Sequence, residues 1–192
     1  MNEDLSTTVG ALLIKRNIDA AATVLEARLR AQTSTRFASL VNSRFTNPPK
    51  AVLDHINGFL IACQKEFDVK AIYLPHNGLV FNNDRWYFDS NAYDVVNDLT
   101  ADYEWLCHPR SIEWDAFTLT GLEKAQDDFR WYVDDEMFEH ETWESIAEIA
   151  ELLVKVRLVQ LIASAISSGP LAVAVPVFTT AYGSDFFCRF DP

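Results

Sequence analysis

The segment spanning residues 142–168 constrains the fold more than any other part of the chain. Drawn as an α-helix, it has one charged stripe, formed by Glu144, Glu148, Glu151 and Lys155. Most of its other positions are aliphatic, too many for one narrow apolar seam. Thr142 is expected to cap the start of this helix, and Gly169 and Pro170 to end it. The segment predicts a long helix whose C-terminal half is covered on nearly every side.

The residues after this helix predict a buried strand. Residues 171–179 are apolar and rich in β-branched side chains, as strands are. No charged residue occurs from Leu158 to Ser184, so a membrane-spanning segment is the alternative interpretation. Such a helix needs about 20 continuous apolar residues, and Gly169 and Pro170 divide the run into shorter pieces. A buried helix followed by a buried strand is favoured, and no membrane contact is expected.

Elsewhere the chain alternates groups of helices with groups of strands. Helical spacing predicts helices from residue 9 onward and over residues 18–40, 51–67, 90–99 and 120–133. Strand patterns lie at residues 69–74, 79–81, 86–88 and 185–190. Because strands adjacent in sequence form hairpins here, and are not separated one by one by helices, the pattern predicts an α+β fold. We expect one helix-rich domain over residues 1–192 with a small, mainly antiparallel sheet.

Cysteine usage and the N-terminal sequence bear on the cellular compartment. Cys63, Cys107 and Cys188 are odd in number and far apart, which is typical of reduced thiols in a cytosolic protein. The first residues show no basic-then-apolar secretion signal. We therefore expect a cytoplasmic protein.

The formal net charge of −12 is concentrated in the middle of the chain. Residues 61–151 carry twenty-one of the twenty-eight acidic residues and only six of the sixteen Lys and Arg. Non-specific nucleic-acid binding depends on neutralising phosphates and is not expected of such a segment. A basic protein surface is its natural complement.

The same acidic segment contains all five tryptophans. Trp and Tyr are enriched among the residues that dominate interface energetics, and carboxylates accelerate encounter with a cationic surface. The combination predicts a non-enzymatic, acidic protein-binding module. Its most concrete form is an immunity- or antitoxin-like inhibitor of a basic partner such as a nuclease toxin. The candidate contact residues are Trp105, Asp127, Asp128, Trp131, Asp134, Asp135 and Glu136.

An enzyme is the alternative hypothesis. The zinc-protease helix carries a second histidine four residues after the first, and here Glu144 stands four residues after His140. With Glu136 one turn earlier, this helix would serve a divalent-metal- or carboxylate-dependent hydrolase. Carboxylates are also common at helix starts, where they oppose the positive end of the helix dipole. No catalytic residue, metal or cofactor is therefore assigned.

Several other residues receive ordinary structural interpretations. Arg28, Arg30 and Arg36 are interpreted as a solvated helix face. His76 is expected in a turn after the first strand, hydrogen-bonded or exposed. A third hypothesis makes the protein a structural subunit whose apolar C-terminal segment forms an oligomer interface. The sequence leaves the oligomeric state open.

Overall fold

A long buried helix and a small sheet form the centre of the fold. The computed structural model describes residues 3–32, 34–77, 79, 82, 84–97, 104–181 and 188–192. The α-helices within them are α1 (Glu3–Ile14), α2 (Ile18–Arg30), α3 (Pro49–Gln64), α4 (Glu123–Asp134) and α5 (Glu141–Ser167). The strands are β1 (Ala71–Asn77), β2 (Tyr87–Phe88), β3 (Asn91–Tyr93), β4 (Phe117–Thr118), β5 (Val177–Ala181) and β6 (Cys188–Phe190). Short 3₁₀ helices occupy Ala38–Leu40, Glu104–Cys107 and Met137–Glu139. The predicted helix-rich α+β class is confirmed.

The sheet is mixed and not strictly antiparallel. Its strand order is β4-β2-β1-β5-β6, with β3 also paired to β1. The central pair β1 and β5 is parallel, with Ile72 opposite Val177, while the other pairings are antiparallel. The parallel pair arises because α4 and α5 lie between these strands in sequence, which gives the chain the long crossover that parallel neighbours require. A sequence reading based on local hairpins misses this non-local pairing.

β1 continues through a proline that the sequence analysis placed in a turn. β1 includes Pro75 and His76 and ends at Asn77, so the predicted turn beginning at Pro75 is wrong. β2 and β3 pair with β1 in one register, since His76 lies opposite Phe88 and Tyr73 opposite Asn91. Leu74 and Pro75 lie between the two paired segments. Pro75 has no N–H to donate, but its carbonyl accepts the backbone N–H of Asp89 at 3.2 Å. The predicted strand at residues 79–81 lies mostly outside the described residues.

α5 has nearly the predicted limits but a different exposure along its charged stripe. It runs over twenty-seven residues, and its side chains are largely buried from Ile146 to Ala165. The residue preceding it is His140, whose side chain makes no capping bond, so the predicted cap at Thr142 is wrong. Glu144 is exposed and Lys155 is buried, where it pairs with Glu151 at 2.7 Å. The stripe therefore begins in solvent and descends into the protein.

The sheet packs hydrophobic clusters on both faces. Ile72 and Leu74 of β1 belong to the main core, which extends from Leu5 in α1 to Cys188 in β6. A smaller cluster consists of Ala71, Tyr73, Tyr93, Trp105 and Phe178. Alternation along β1 explains the division, because successive side chains of a strand point to opposite faces.

Several predicted limits differ from the structure. α1 begins at Glu3 and not near residue 9, and α2 ends at Arg30 although the sequence pattern continued to residue 40. The helix expected over residues 90–99 is instead β3, whose Ala92 pairs with Ile72. Pairing with the central strand overrides the helical pattern there. β6 confirms the end of the predicted strand at residues 185–190, while residues 182–187 lie outside the described residues.

Two further observations bear on the membrane and redox expectations. Among the residues that the structure describes, no helix has the length and apolarity needed to cross a bilayer. Cys63 and Cys188 are buried free thiols, and Cys107 is an exposed one. No disulfide joins these three cysteines.

A buried ion pair joins α2 to α5. Arg157 of α5 donates from Nη2 to the carboxylate of Glu26 in α2, and the Arg157 side chain has no exposed surface. Glu26 also accepts the backbone N–H of Asn42 at 3.1 Å and ion-pairs with Arg44 at 3.3 Å. Burial alone would raise the pKa of Glu26, but the hydrogen bonds from Arg157 and Asn42 outweigh it and hold the pKa below its ordinary value.

We expect the two partners to differ in how much their loss destabilises the fold. Glu26→Leu leaves Arg157 buried without its charge partner and should lower the free energy of unfolding by about 3–5 kcal/mol. Arg157→Met should cost less, because Glu26 keeps Arg30 and Arg44 as partners. The double variant should cost less than the sum of the single changes. Urea unfolding measures all three.

Lys50→Met is the control for this cycle, since Lys50 and Asp54 form an exposed pair. Its unfolding free energy should change by less than about 1 kcal/mol. Strict additivity of Glu26→Leu and Arg157→Met would contradict the assigned coupling.

Candidate partner-binding surface

The junction between α4 and α5 concentrates negative charge. Residues 134–144 contain six carboxylates and no Lys or Arg. All six are exposed, and within the described part of the chain none of them pairs with a Lys or Arg. We call this surface the acidic corner. Its carboxylates belong to Asp134, Asp135, Glu136, Glu139, Glu141 and Glu144.

The helix dipoles stabilise only some of the carboxylates of the acidic corner. Glu141 and Glu144 lie in the first turn of α5, where the helix dipole favours negative charge. Asp134 and Asp135 lie at the C-terminal end of α4, where the dipole favours cations, and the last turn of α4 has no basic residue. Fold stability therefore does not account for the charge at the end of α4.

Aromatic side chains lie beside these carboxylates. Phe138, in the 3₁₀ helix between α4 and α5, is 48% exposed. Trp131 and Trp143 are half-buried and pack edge to face with ring centroids 5.0 Å apart. The guanidinium of Arg36 lies over the Trp131 ring, 4.2 Å from its centroid. Phe138 is thus the apolar residue with the most accessible surface at the acidic corner, while Trp131 and Trp143 mainly join α4 to α5.

Two of the predicted contact residues are buried. Trp105 is 6% exposed and packs edge-on against Tyr93 and Phe178 in the smaller cluster. Asp128 is 1% exposed and accepts hydrogen bonds from the Arg36 guanidinium at 3.2 Å and the Phe37 backbone N–H at 3.0 Å. Phe37 has a positive φ of 60°, a conformation that few bulky residues adopt. Asp128 therefore stabilises a turn and is not available to a partner.

The other predicted residues lie on or beside the acidic corner. Asp127 is exposed and pairs with Arg130 at 3.2 Å. It lies seven residues before Asp134, so both occupy one face of α4, with Trp131 between them. Asp134, Asp135 and Glu136 are exposed. The sequence analysis missed Phe138, Glu139 and Glu141, although an eleven-residue run without a cation was a detectable signal.

The three residues of the hydrolase hypothesis do not share a helix. Glu136 has φ of 55° and precedes a 3₁₀ turn, and His140 precedes the first residue of α5. Only Glu144 lies within α5. No group of three or more His, Cys, Asp or Glu side chains is arranged to hold a metal ion in the described ranges. The helical face that the hypothesis requires is absent because the chain changes direction at Glu136.

His76 is a buried titratable group and not the turn residue expected from sequence. It is 2% exposed on β1, and its ring nitrogens have no hydrogen-bond partner among the described residues. Its ring lies 5.7 Å from that of Trp86 and 6.4 Å from that of Phe45. Burial, with a smaller contribution from the charge of Lys155, lowers the pKa of His76 to about 3.

Comparison with known proteins adds no relative. No protein-family model, curated protein or solved structure matches the chain.

The depressed pKa of His76 predicts a pH-dependent stability. Between about pH 6.5 and pH 3 the unfolded chain binds a proton at His76 that the folded protein does not bind. The free energy of unfolding should therefore fall with decreasing pH in this window, by at most about 1.4 kcal/mol per pH unit from this residue. His76→Leu should flatten the decline, as measured by urea unfolding between pH 7 and pH 4.

His140→Gln is the matched control, because His140 is exposed. It should leave the slope of stability against pH unchanged. If His76→Leu showed the wild-type slope, a buried neutral His76 would be ruled out.

Proposed function

We propose that this protein is a non-enzymatic binding module whose acidic corner docks on a cationic surface of a partner protein. The observation that carries the proposal is the set of six exposed carboxylates over residues 134–144, none of which pairs with a Lys or Arg of the described residues. Uncompensated charge of one sign raises the rate of encounter with the opposite sign and disfavours wrong partners. Phe138, which is half-exposed in the same segment, supplies apolar contact area that charged groups lack.

The position of these carboxylates is better explained by binding than by stabilisation of the fold. Asp134 and Asp135 oppose the dipole at the end of α4, and the two carboxylates that follow them have no cationic partner in the described chain. A cationic partner would neutralise this charge and relieve the mutual repulsion of the carboxylates. Binding thus gains free energy from an arrangement that gives the free protein no local benefit.

In its most concrete form the module is an immunity- or antitoxin-like inhibitor of a basic nuclease. A nuclease cleft must attract phosphates, so it presents Lys and Arg at about the spacing of backbone charges. The acidic corner presents carboxylates along the turn between two helices, and would occupy such a cleft in place of nucleic acid. The exposed free thiol of Cys107 suits a reducing cytoplasm, where such an inhibitor would meet its target.

Capture from native lysate with charge-matched variants tests the proposal. The triple variant Asp135→Asn, Glu136→Gln, Glu139→Gln removes three charges from the acidic corner. The control variant Asp115→Asn, Glu66→Gln, Glu113→Gln removes three exposed charges elsewhere. We expect the wild type and the control to recover the same basic protein, and the corner variant to recover at least about tenfold less, since the corner steers association.

Salt and activity measurements complete the test. Raising the salt from 0.1 M to 1 M shortens the Debye length from about 10 Å to about 3 Å, so capture should be depleted. The captured protein should have nuclease activity that the wild type inhibits and the corner variant does not. Equal loss of capture by both triple variants, or no capture by the wild type, would refute the acidic corner as the binding surface. A captured protein without nuclease activity would refute the inhibitor form.

A further inference from the structure

A second site is suggested by a cavity at the other half of α5. Its volume is about 1050 Å³, and it lies between the start of α2, residues 44–49 and the C-terminal half of α5. Small-molecule sites commonly measure about 300–1,000 Å³. The cavity is therefore large enough for a small organic ligand.

The lining of this cavity is richer in arginine than in carboxylates, unlike the protein as a whole. Arg16, Arg44 and Arg157 line it, and Asp19 is the one acidic residue in its described lining. The Asp19 carboxylate accepts a hydrogen bond from the Gln160 amide at 2.6 Å. Glu26, adjacent to the wall, neutralises one arginine, and Asp191 pairs with Arg16 at the rim. Three carboxylates thus lie against three guanidinium groups, so the cavity is close to neutral in a chain with a net charge of −12.

The cavity also retains unused hydrogen-bond donors. Nε of the fully buried Arg157 has no acceptor among the described residues, and a buried donor without a partner costs free energy. Arg44 and Arg16 each remain about half exposed, so part of each guanidinium can reach a ligand. α2 begins at Ile18, and the side chain of Asn17 makes no capping bond, which leaves first-turn N–H groups at the cavity.

The lining also contains apolar residues. Phe45, Pro48, Pro49 and Leu161 contribute to it, beside several Asn, Ser and Thr residues. An anionic group would lie between the arginines and the start of α2, where guanidinium and amide donors converge. An organic group attached to it would pack against the proline and aliphatic side chains.

From this arrangement we propose that the cavity binds a small phosphate monoester with an apolar body. Guanidinium groups match the tetrahedral oxygens of phosphate through paired hydrogen bonds, and a helix start adds backbone donors. The apolar residues of the lining favour an ester over free phosphate, because only the ester has an organic group that can pack against them. This site is separate from the acidic corner and does not depend on it.

Calorimetric titration at constant ionic strength, set with sodium chloride, tests the proposal with three probes. The probes are phenyl phosphate, inorganic phosphate and phenol. We expect phenyl phosphate to bind, inorganic phosphate to bind more weakly, and phenol to give no measurable binding. Equal affinity for phenyl phosphate and inorganic phosphate would overturn the apolar part of the proposal, and comparable binding of phenol would overturn the anionic part.

Variants at the rim locate the binding without removing the buried ion pair. Arg16→Gln with Arg44→Gln should weaken phenyl phosphate binding at least about tenfold, because charged hydrogen bonds are lost. Arg28→Gln, an exposed arginine of α2 outside the cavity, is the control and should bind as the wild type does. Urea unfolding checks that each variant is folded. No binding of either phosphate probe to the wild type, or unchanged binding in the double variant, would overturn the site.

Discussion

The ion pair between Glu26 and Arg157 determines how the two halves of the chain meet. It connects α2 to α5 across 131 residues of sequence, and Arg44 and Asn42 join it from the segment between α2 and α3. A charged pair inside a core is rarely the most stable solution, but once present it penalises any packing that leaves either partner alone. It thereby fixes α5 against α2, and it also places an arginine in the wall of the cavity. The same ion pair thus holds two core helices together and positions an arginine in the lining of the cavity.

α5 connects the acidic corner at its start to the arginine-lined cavity at its second half. Its twenty-seven residues extend about 40 Å at the usual helical rise. Glu141 and Glu144 lie in its first turn, beside the end of α4, whereas Arg157 and Gln160 lie in its second half, beside the start of α2. The acidic corner and the cavity are thus roughly 24 Å apart along this helix. A protein-binding surface and a small-molecule site can operate on one scaffold without sharing residues.

What the sequence predicts correctly is local and periodic, and what it misses is non-local. The aliphatic pattern of α5 gave its limits to within one residue at either end, because burial on all sides leaves an unambiguous composition. The parallel pairing of β1 with β5 depends on a long crossover, and β1 continues through Pro75, whose carbonyl still accepts the Asp89 N–H. Neither fact is contained in a short window of sequence.

At the candidate surface, too, the sequence pattern does not determine which individual side chains are exposed. Asp127 and Asp128 are adjacent, yet one is exposed and the other is bonded to Arg36 and Phe37 inside the protein. About 100° separates successive side chains on a helix, so composition cannot assign both to one surface. Trp105 was chosen for its residue type, but its ring fills the cluster behind the sheet. Charge density along the chain indicated where exposed carboxylates cluster, and the turn of each helix decided which side chains face solvent.

The electrostatic potential near each backbone amide tests this charge separation most directly. It can be measured from paramagnetic relaxation of amide protons by a cationic and an anionic nitroxide of similar size. We expect the cationic probe to be enriched over the anionic one at residues 134–144, and this preference to be weaker at residues 16–20 and 44–47. A ratio that is uniform along the chain would contradict the difference in charge between the two ends of α5.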